Sequence, residues 1–121
     1  MSATKAIRIV LPVAGILIAV GFAAGAARAD TNQEIAYKDY YSAIHSVVLC
    51  DERKFDQPAH AKMAQVIDQK INYDIGAGRR LTLIEQAKSD VYELIWKKGC
   101  TSEPVGRLLG VFRSELEPAL Q

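Results

Sequence analysis

Residues 31–50 read TNQEIAYKDYYSAIHSVVLC, and this stretch decides the fold. Thr31 and Glu34 have the spacing of a capping box, in which the two side chains satisfy backbone N–H groups at the start of a helix. Six apolar or aromatic residues then share one stripe at the helical period: Tyr37, Tyr40, Tyr41, Ile44, Val47 and Val48. The pattern predicts an amphipathic helix that ends near Cys50 and Asp51.

A second helix is predicted to start after Asp56, which has a side chain suited to capping. Gly76 and Gly78 follow the last apolar residue of this segment, and glycine favours the end of a helix, so we expect the helix to stop there. Its apolar stripe comprises Met63, Val66, Ile67, Ile71 and Ile75.

Two more helices complete the expected set. The third ends at Gly99, and its stripe comprises Leu81, Ile84, Ala87, Val91, Leu94 and Ile95. The fourth is capped by Ser102 and limited by Pro118, and its stripe comprises Val105, Leu108, Leu109, Phe112 and Leu116. No segment alternates polar and apolar residues at the period of a strand. The sequence therefore predicts an all-α fold, a small four-helix up-down bundle with short connections.

The first 29 residues have the layout of a secretory signal peptide. Residues 9–27 carry no charge and follow two basic residues, and the A-R-A pattern at 27–29 suits signal peptidase. A transmembrane anchor is the alternative, because about 18 apolar residues can span a bilayer. Pro12, several glycines and the small residues at the end favour cleavage. We therefore expect 1–29 to be removed and 30–121 to form a single helical domain.

The charge composition gives no strong signal for a nucleic-acid partner. Lys and Arg total 15 and Asp and Glu total 14, so the net charge is +1. Loss of the three basic residues of the leader changes it to +1 − 3 = −2. We expect a periplasmic or secreted protein without a stable membrane anchor after cleavage.

Cys50 and Cys100 are the only cysteines, and both lie in the exported part. An even count in an oxidising compartment indicates a disulfide. A redox or metal-ligand pair is the alternative, but the chain has no C-x-x-C motif. An up-down order places the ends of the first and third helices together, so the predicted topology and the predicted disulfide agree.

Two features indicate an interaction surface. Tyr37, Tyr40 and Tyr41 project in different directions at 3.6 residues per turn, so we expect at least one ring to be substantially exposed. The rim of a small core is the simpler interpretation of these rings, and a partner-binding or dimer face is the functional one. Gly106 and Gly110 form a G-x-x-x-G motif, which suggests a close backbone approach. We favour another helix of the same chain as the neighbour of these glycines, with a second molecule as the alternative.

Gly76, Gly78, Arg79 and Arg80 form a candidate anion site between the second and third helices. Backbone amides of a glycine turn and two guanidinium groups can hold an anion. Two arginines at a helix start also oppose the helix dipole. Either something negative lies there, or the regular helix begins later; we favour a start at Thr82, which opens a second T-x-x-E box.

Asp51, Glu52 and Asp56, together with Asp90 and Glu93, form two candidate carboxylate sites. Such oxygens suit a hard cation such as calcium or a trivalent lanthanide. Ordinary solvated charges are the simpler interpretation, because no EF-hand spacing is present. The two histidines lack zinc-ligand spacing, and no nucleophile–base set can be named. We therefore expect no catalytic residues and no cofactor other than a possible hard cation.

Three functions follow from these features. The first is a non-enzymatic accessory protein that binds another periplasmic protein, or a second copy of itself, through a helical surface. The second is a hard-cation binding protein. In size, export signal, helix content and cysteine separation, the chain also resembles the acid-stress periplasmic chaperones of the HdeA type. That resemblance implies the third function, an acid-stress chaperone, and it implies no site residues because no motif is shared.

Overall fold

The computed structural model of the protein describes residues 30–72 and 74–121, and the predicted signal peptide at 1–29 lies outside them. The described part is helical and contains no strand, which confirms the all-α prediction. No helix within it is long and apolar enough to cross a bilayer. Its elements are α1 (Asn32–Cys50), α2 (Gln57–Lys70), α3 (Ala77–Lys98), α4 (Glu103–Val111), a π-helical turn (Phe112–Leu116) and a 3-10 turn (Glu117–Leu120).

Local capping signals set the starts of the first two helices. The Thr31 and Glu34 side chains form the expected capping box, with the Glu34 backbone N–H donating to Thr31 Oγ1 at 3.1 Å and the Thr31 N–H donating to Glu34 Oε1 at 2.9 Å. Asp56 Oδ1 accepts from the Ala59 N–H at 2.9 Å. Ser102 occupies the N-cap position of α4, but its hydroxyl donates to the Gly99 carbonyl at 2.7 Å instead of capping the helix.

The end of α2 differs from the prediction. The helix ends at Lys70, Ile71 has an extended backbone, and Gly76 is the N-cap residue of α3. Ile71 and Ile75 are buried in the core although they lie beyond the helix. The chain therefore leaves the helix early and the connecting segment anchors itself through these two side chains, so glycine is not what stops α2.

Helix α1 is the central element of the bundle. Its closest backbone neighbours are α3 and α4, whereas α2 lies closest to the two C-terminal turns. Its buried residues lie on most sides of the helix: Glu34, Tyr37, Ser42, Ala43, Ile44, Ser46 and Val47. The rest of the core comes from α2, the segment that follows it, α3, α4 and the π-helical turn: Met63, Ile67, Ile71, Ile75, Leu83, Val105, Leu109, Phe112 and Leu116.

The predicted disulfide is present. Cys50 Sγ and Cys100 Sγ are 2.02 Å apart, and the two Cα atoms are 5.7 Å apart. Cys50 is the last residue of α1, and Cys100 comes two residues after the end of α3. The bond therefore holds together the C-terminal ends of the two helices that make the most extensive backbone contact.

Candidate functional site

The tyrosines of α1 pack inside the bundle. Tyr37 is 3% exposed, its ring centroid lies 5.0 Å from that of Tyr41, and the Arg80 guanidinium lies 5.6 Å above its ring. Tyr40 and Tyr41 are half-buried against the core. The expectation that at least one of these rings is substantially exposed is wrong, because α1 is covered on most of its sides.

The Tyr40 hydroxyl has a definite partner within the chain. Its Oη donates to Glu115 Oε1 at 2.7 Å, and the Lys70 ammonium lies 3.3 Å from the same oxygen. Burial and this hydrogen bond to a carboxylate raise the pKa of Tyr40 to about 12. Burial also raises the pKa of Tyr41. Both hydroxyls therefore stay neutral, and that of Tyr40 ties α1 to the π-helical turn.

Gly106 and Gly110 make no close contact within the described chain. Both are exposed, and a Cβ atom added to either would meet no heavy atom within 4 Å. Contrary to the favoured interpretation, no helix of the described residues approaches these two glycines. The stripe beside them is buried as expected, since Val105, Leu109 and Phe112 all face the core.

The arginines that follow Gly76 lie in the first turn of α3, since this helix starts at Ala77 and not at Thr82. Thr82 Oγ1 donates to the Gly78 carbonyl at 3.2 Å, so the second capping box does not form. The carboxylates that balance the two guanidinium groups come from other helices: Arg79 Nε lies 3.1 Å from Glu34 Oε2 and Arg80 Nη1 lies 2.9 Å from Asp68 Oδ1. The candidate anion site is thus filled by the chain's own carboxylates.

The first carboxylate group is used in structural contacts. Asp51 Oδ2 lies 3.5 Å from Arg113 Nη2, Asp56 caps α2, and Glu52 is exposed with a positive φ of 54°. No group of three or more His, Cys, Asp or Glu side chains within residues 30–72 and 74–121 is arranged to hold a metal ion. A hard cation at these residues therefore remains a prediction that no geometric feature of this part of the chain supports.

The second carboxylate group is paired on α3. Asp90 Oδ2 lies 3.4 Å from Lys38 Nζ, and Glu93 Oε2 lies 2.9 Å from Lys97 Nζ one turn away. Lys38 is half-buried and the other three side chains are exposed, so each pair contributes little to stability. The position of Glu93 is informative in another way, because it borders the most exposed apolar surface of the described chain.

That surface is the outer face of α3, by which we mean Leu81, Glu85, Lys88, Ser89, Tyr92 and Trp96. Tyr92 is 68% exposed and Trp96 is 86% exposed, on a regular helix one turn apart. Leu81 is 67% exposed, which corrects its assignment to the buried stripe; Leu83 faces the core instead. Tryptophan is buried in most folds, so two exposed aromatic rings on one helix face are unusual.

The sequence contained a signal for this face. At 100° per residue, Leu81 lies within about 40° of both Glu85 and Lys88, whereas Leu83 lies on the side of Ala87 and Val91. These charged neighbours indicate that Leu81 lies outside the core. Tyr92 and Trp96 lie on the same side of the helix, so the same signal applies to the aromatic pair.

Comparison with known proteins adds no family and no relative. No protein-family model, no curated protein and no solved structure matches this chain. The function of the chain is therefore inferred from the geometry alone.

Proposed function

We propose that the chain is a small exported, non-enzymatic binding protein that docks a protein onto the outer face of α3. The observation that carries the proposal is the exposure of Tyr92 and Trp96 on a well-formed helix. Tyrosine and tryptophan provide large contact areas with few rotatable bonds, and they are enriched among the residues that dominate binding energy. The tyrosines of α1, in contrast, pack inside the bundle together with Phe55 and Phe112.

The scaffold of this surface is an up-down bundle in an oxidising compartment. The disulfide between the C-terminal ends of α1 and α3 supports the up-down order, since the two helices then run in the same direction. It also supports an oxidising compartment, since both thiols are oxidised. The leader-like pattern at 1–29 supports export to the periplasm or beyond. The outer face of α3 lies on the longest helix of this scaffold, which the disulfide holds near its C-terminal end.

The other two functions remain predictions with less support. Each of Asp51, Asp56, Asp90 and Glu93 already has a partner within the chain, so a hard cation would have to displace ion pairs or a helix cap. An acid-stress chaperone requires loss of packing at low pH. The half-buried His45 supports such a loss, because protonation of its imidazole is disfavoured in the folded state.

Site-specific crosslinking in exporting cells tests the proposed function. A photoreactive amino acid at Ser89, in the middle of the outer face of α3, should capture a protein. Tyr92→Ala or Trp96→Ala should reduce the yield of that product at least about tenfold if these rings are anchors. Ile35→Ala is the matched control, because Ile35 is also exposed and apolar but lies on α1. Absence of any captured protein, or equal yields in all variants, would contradict the proposal.

A further inference from the structure

The outer face of α3 has the residue spacing of a helix-pairing seam. Leu81, Glu85, Lys88 and Tyr92 follow one another at intervals of four, three and four residues, as do residues along the contact line of two packed helices. All four are exposed and lie within an arc of about 60° at 100° per residue. The seam is apolar at both ends and carries one acid and one base in the middle.

The two central charges act on the His45 imidazole through space but form no ion pair within the described chain. Glu85 and Lys88 form no ion pair with any residue in 30–72 or 74–121, whereas Asp90 and Glu93 on the same helix each have one. An acid and a base three residues apart, exposed between apolar neighbours, match a partner that presents the same pair in reverse order.

We propose that the occupant of the outer face of α3 is a second copy of this chain, paired antiparallel through α3 about a two-fold axis. This inference rests on the proposed function and names its partner. In a two-fold interface each contact between different residues occurs twice. Leu81 then faces Tyr92 of the second copy, and Glu85 faces Lys88 of the second copy, so both the apolar and the charged positions are complementary.

The same register provides a place for the most exposed ring. Trp96 falls opposite Ala77 of the second copy, beside Gly78, at the first turn of α3. Both small residues are exposed, and a Cβ added to Gly78 would meet nothing within 4 Å, so there is room for an indole. The contact line from Ala77 to Trp96 is about 29 Å long, which covers nearly the whole helix.

The charges also determine the direction of pairing. A parallel, in-register pair would place Glu85 against Glu85 and Lys88 against Lys88, and like charges at an interface are strongly unfavourable. One pair of helices offers less contact than the roughly 1,600 Å² of a typical stable interface. We therefore expect a reversible dimer whose population depends on protein concentration.

Complementary charge reversal tests this arrangement on the exported, disulfide-bonded protein. Sedimentation equilibrium from about 1 μM to about 1 mM should show a monomer–dimer equilibrium. E85K and K88E should each weaken self-association at least about tenfold, because each creates two like-charge contacts. An equimolar mixture of E85K and K88E should restore the dimer, and so should the E85K/K88E double variant. Both side chains are exposed, so folding, followed by circular dichroism, should not change.

Trp96 provides an independent readout, because it is the only tryptophan of the chain. Its emission should shift to shorter wavelength, and its quenching by iodide should decrease, as the dimer forms. E93K is the control, since Glu93 is exposed on the same helix but lies outside the seam. A wild-type protein that stays monomeric to millimolar concentration, or a mixture that fails to restore the dimer, would overturn the second copy as occupant. If crosslinking at Ser89 still captures a different protein, the proposed function stands without this inference.

Discussion

His45 is a half-buried imidazole on α1 whose Nε2 atom is inaccessible to solvent and has no hydrogen-bond partner among residues 30–72 and 74–121. Burial lowers its pKa from the ordinary value near 6.5, the positive charges of Lys88 and His60 lower it further, and Glu85 opposes them. A histidine with a lowered pKa in the folded state favours the neutral form. The unfolded chain therefore binds more protons below about pH 6.5, and stability is lost as the pH falls from there.

Replacing His45 with a ring that does not titrate should remove this loss. Wild-type protein should show a lower urea midpoint at about pH 5 than at about pH 7, and His45→Phe should show a smaller difference between the two. His60→Phe is the control, because His60 is exposed and makes the smallest contribution to the lowered pKa of His45, so most of the difference should remain. Equal pH dependence in wild type and His45→Phe would show that His45 is not the group responsible.

Arg79 and Arg80 show what a sequence reveals at the level of single residues and what it does not. Their position at a helix start signals a conflict with the helix dipole, and that conflict is real. Tertiary contacts balance the two charges. Arg79 pairs with Glu34, which is 45 residues away, and Arg80 pairs with Asp68, which is 12 residues away. Spacing along the chain identifies the unbalanced charge but does not identify which distant carboxylate balances it.

At the scale of elements, the described helices were predictable where the signal is local. The capping box at Thr31 and the aspartate cap at Asp56 lie where the sequence places them. The end of α2 was not predictable in this way, because it depends on tertiary packing. The helix ends at Lys70, before any glycine, and Ile71 and Ile75 beyond it are buried in the core. Residues on most sides of α1 are buried because three neighbouring segments pack around it. A single apolar stripe in the sequence could not predict this burial.

The glycines of α4 allow a test at this scale. Gly106 and Gly110 lie within a helical segment and an added Cβ would meet nothing, so Gly106→Ala and Gly110→Ala should each raise the free energy of unfolding by up to about 1 kcal/mol. Gly99→Ala is the contrasting control, because Gly99 has a φ of 87° and alanine is strained there. Thermal unfolding measures all three. A loss of stability at Gly106 or Gly110 would show a close backbone neighbour that the described chain does not contain.

At the scale of the whole molecule, the disulfide links the central helix to the helix that carries the exposed aromatic face. The predicted up-down order made this bond predictable, since that order brings the ends of the first and third helices together. The predicted stripe of α3 was wrong at Leu81, because it grouped this residue with the core although Glu85 and Lys88 lie beside it on the helix. Leu81 and Leu83 are chemically equivalent, so only their neighbours around the helix distinguish them in the sequence.

Reduction of the Cys50–Cys100 bond should therefore change stability more than structure. The bond closes a loop with a sequence separation of 50 residues, for which chain entropy gives about 4 kcal/mol, a large part of the roughly 5–15 kcal/mol of a typical domain. We expect a lower urea midpoint after reduction or in the Cys50→Ser/Cys100→Ser variant, together with unchanged Trp96 emission in the folded state. The reason is that a crosslink of this kind acts chiefly on the unfolded chain, whereas the outer face of α3 is held by packing against α1. An unchanged midpoint with both thiols free would show that packing alone holds the two helices together, and a changed emission would show that the bond also shapes the exposed face.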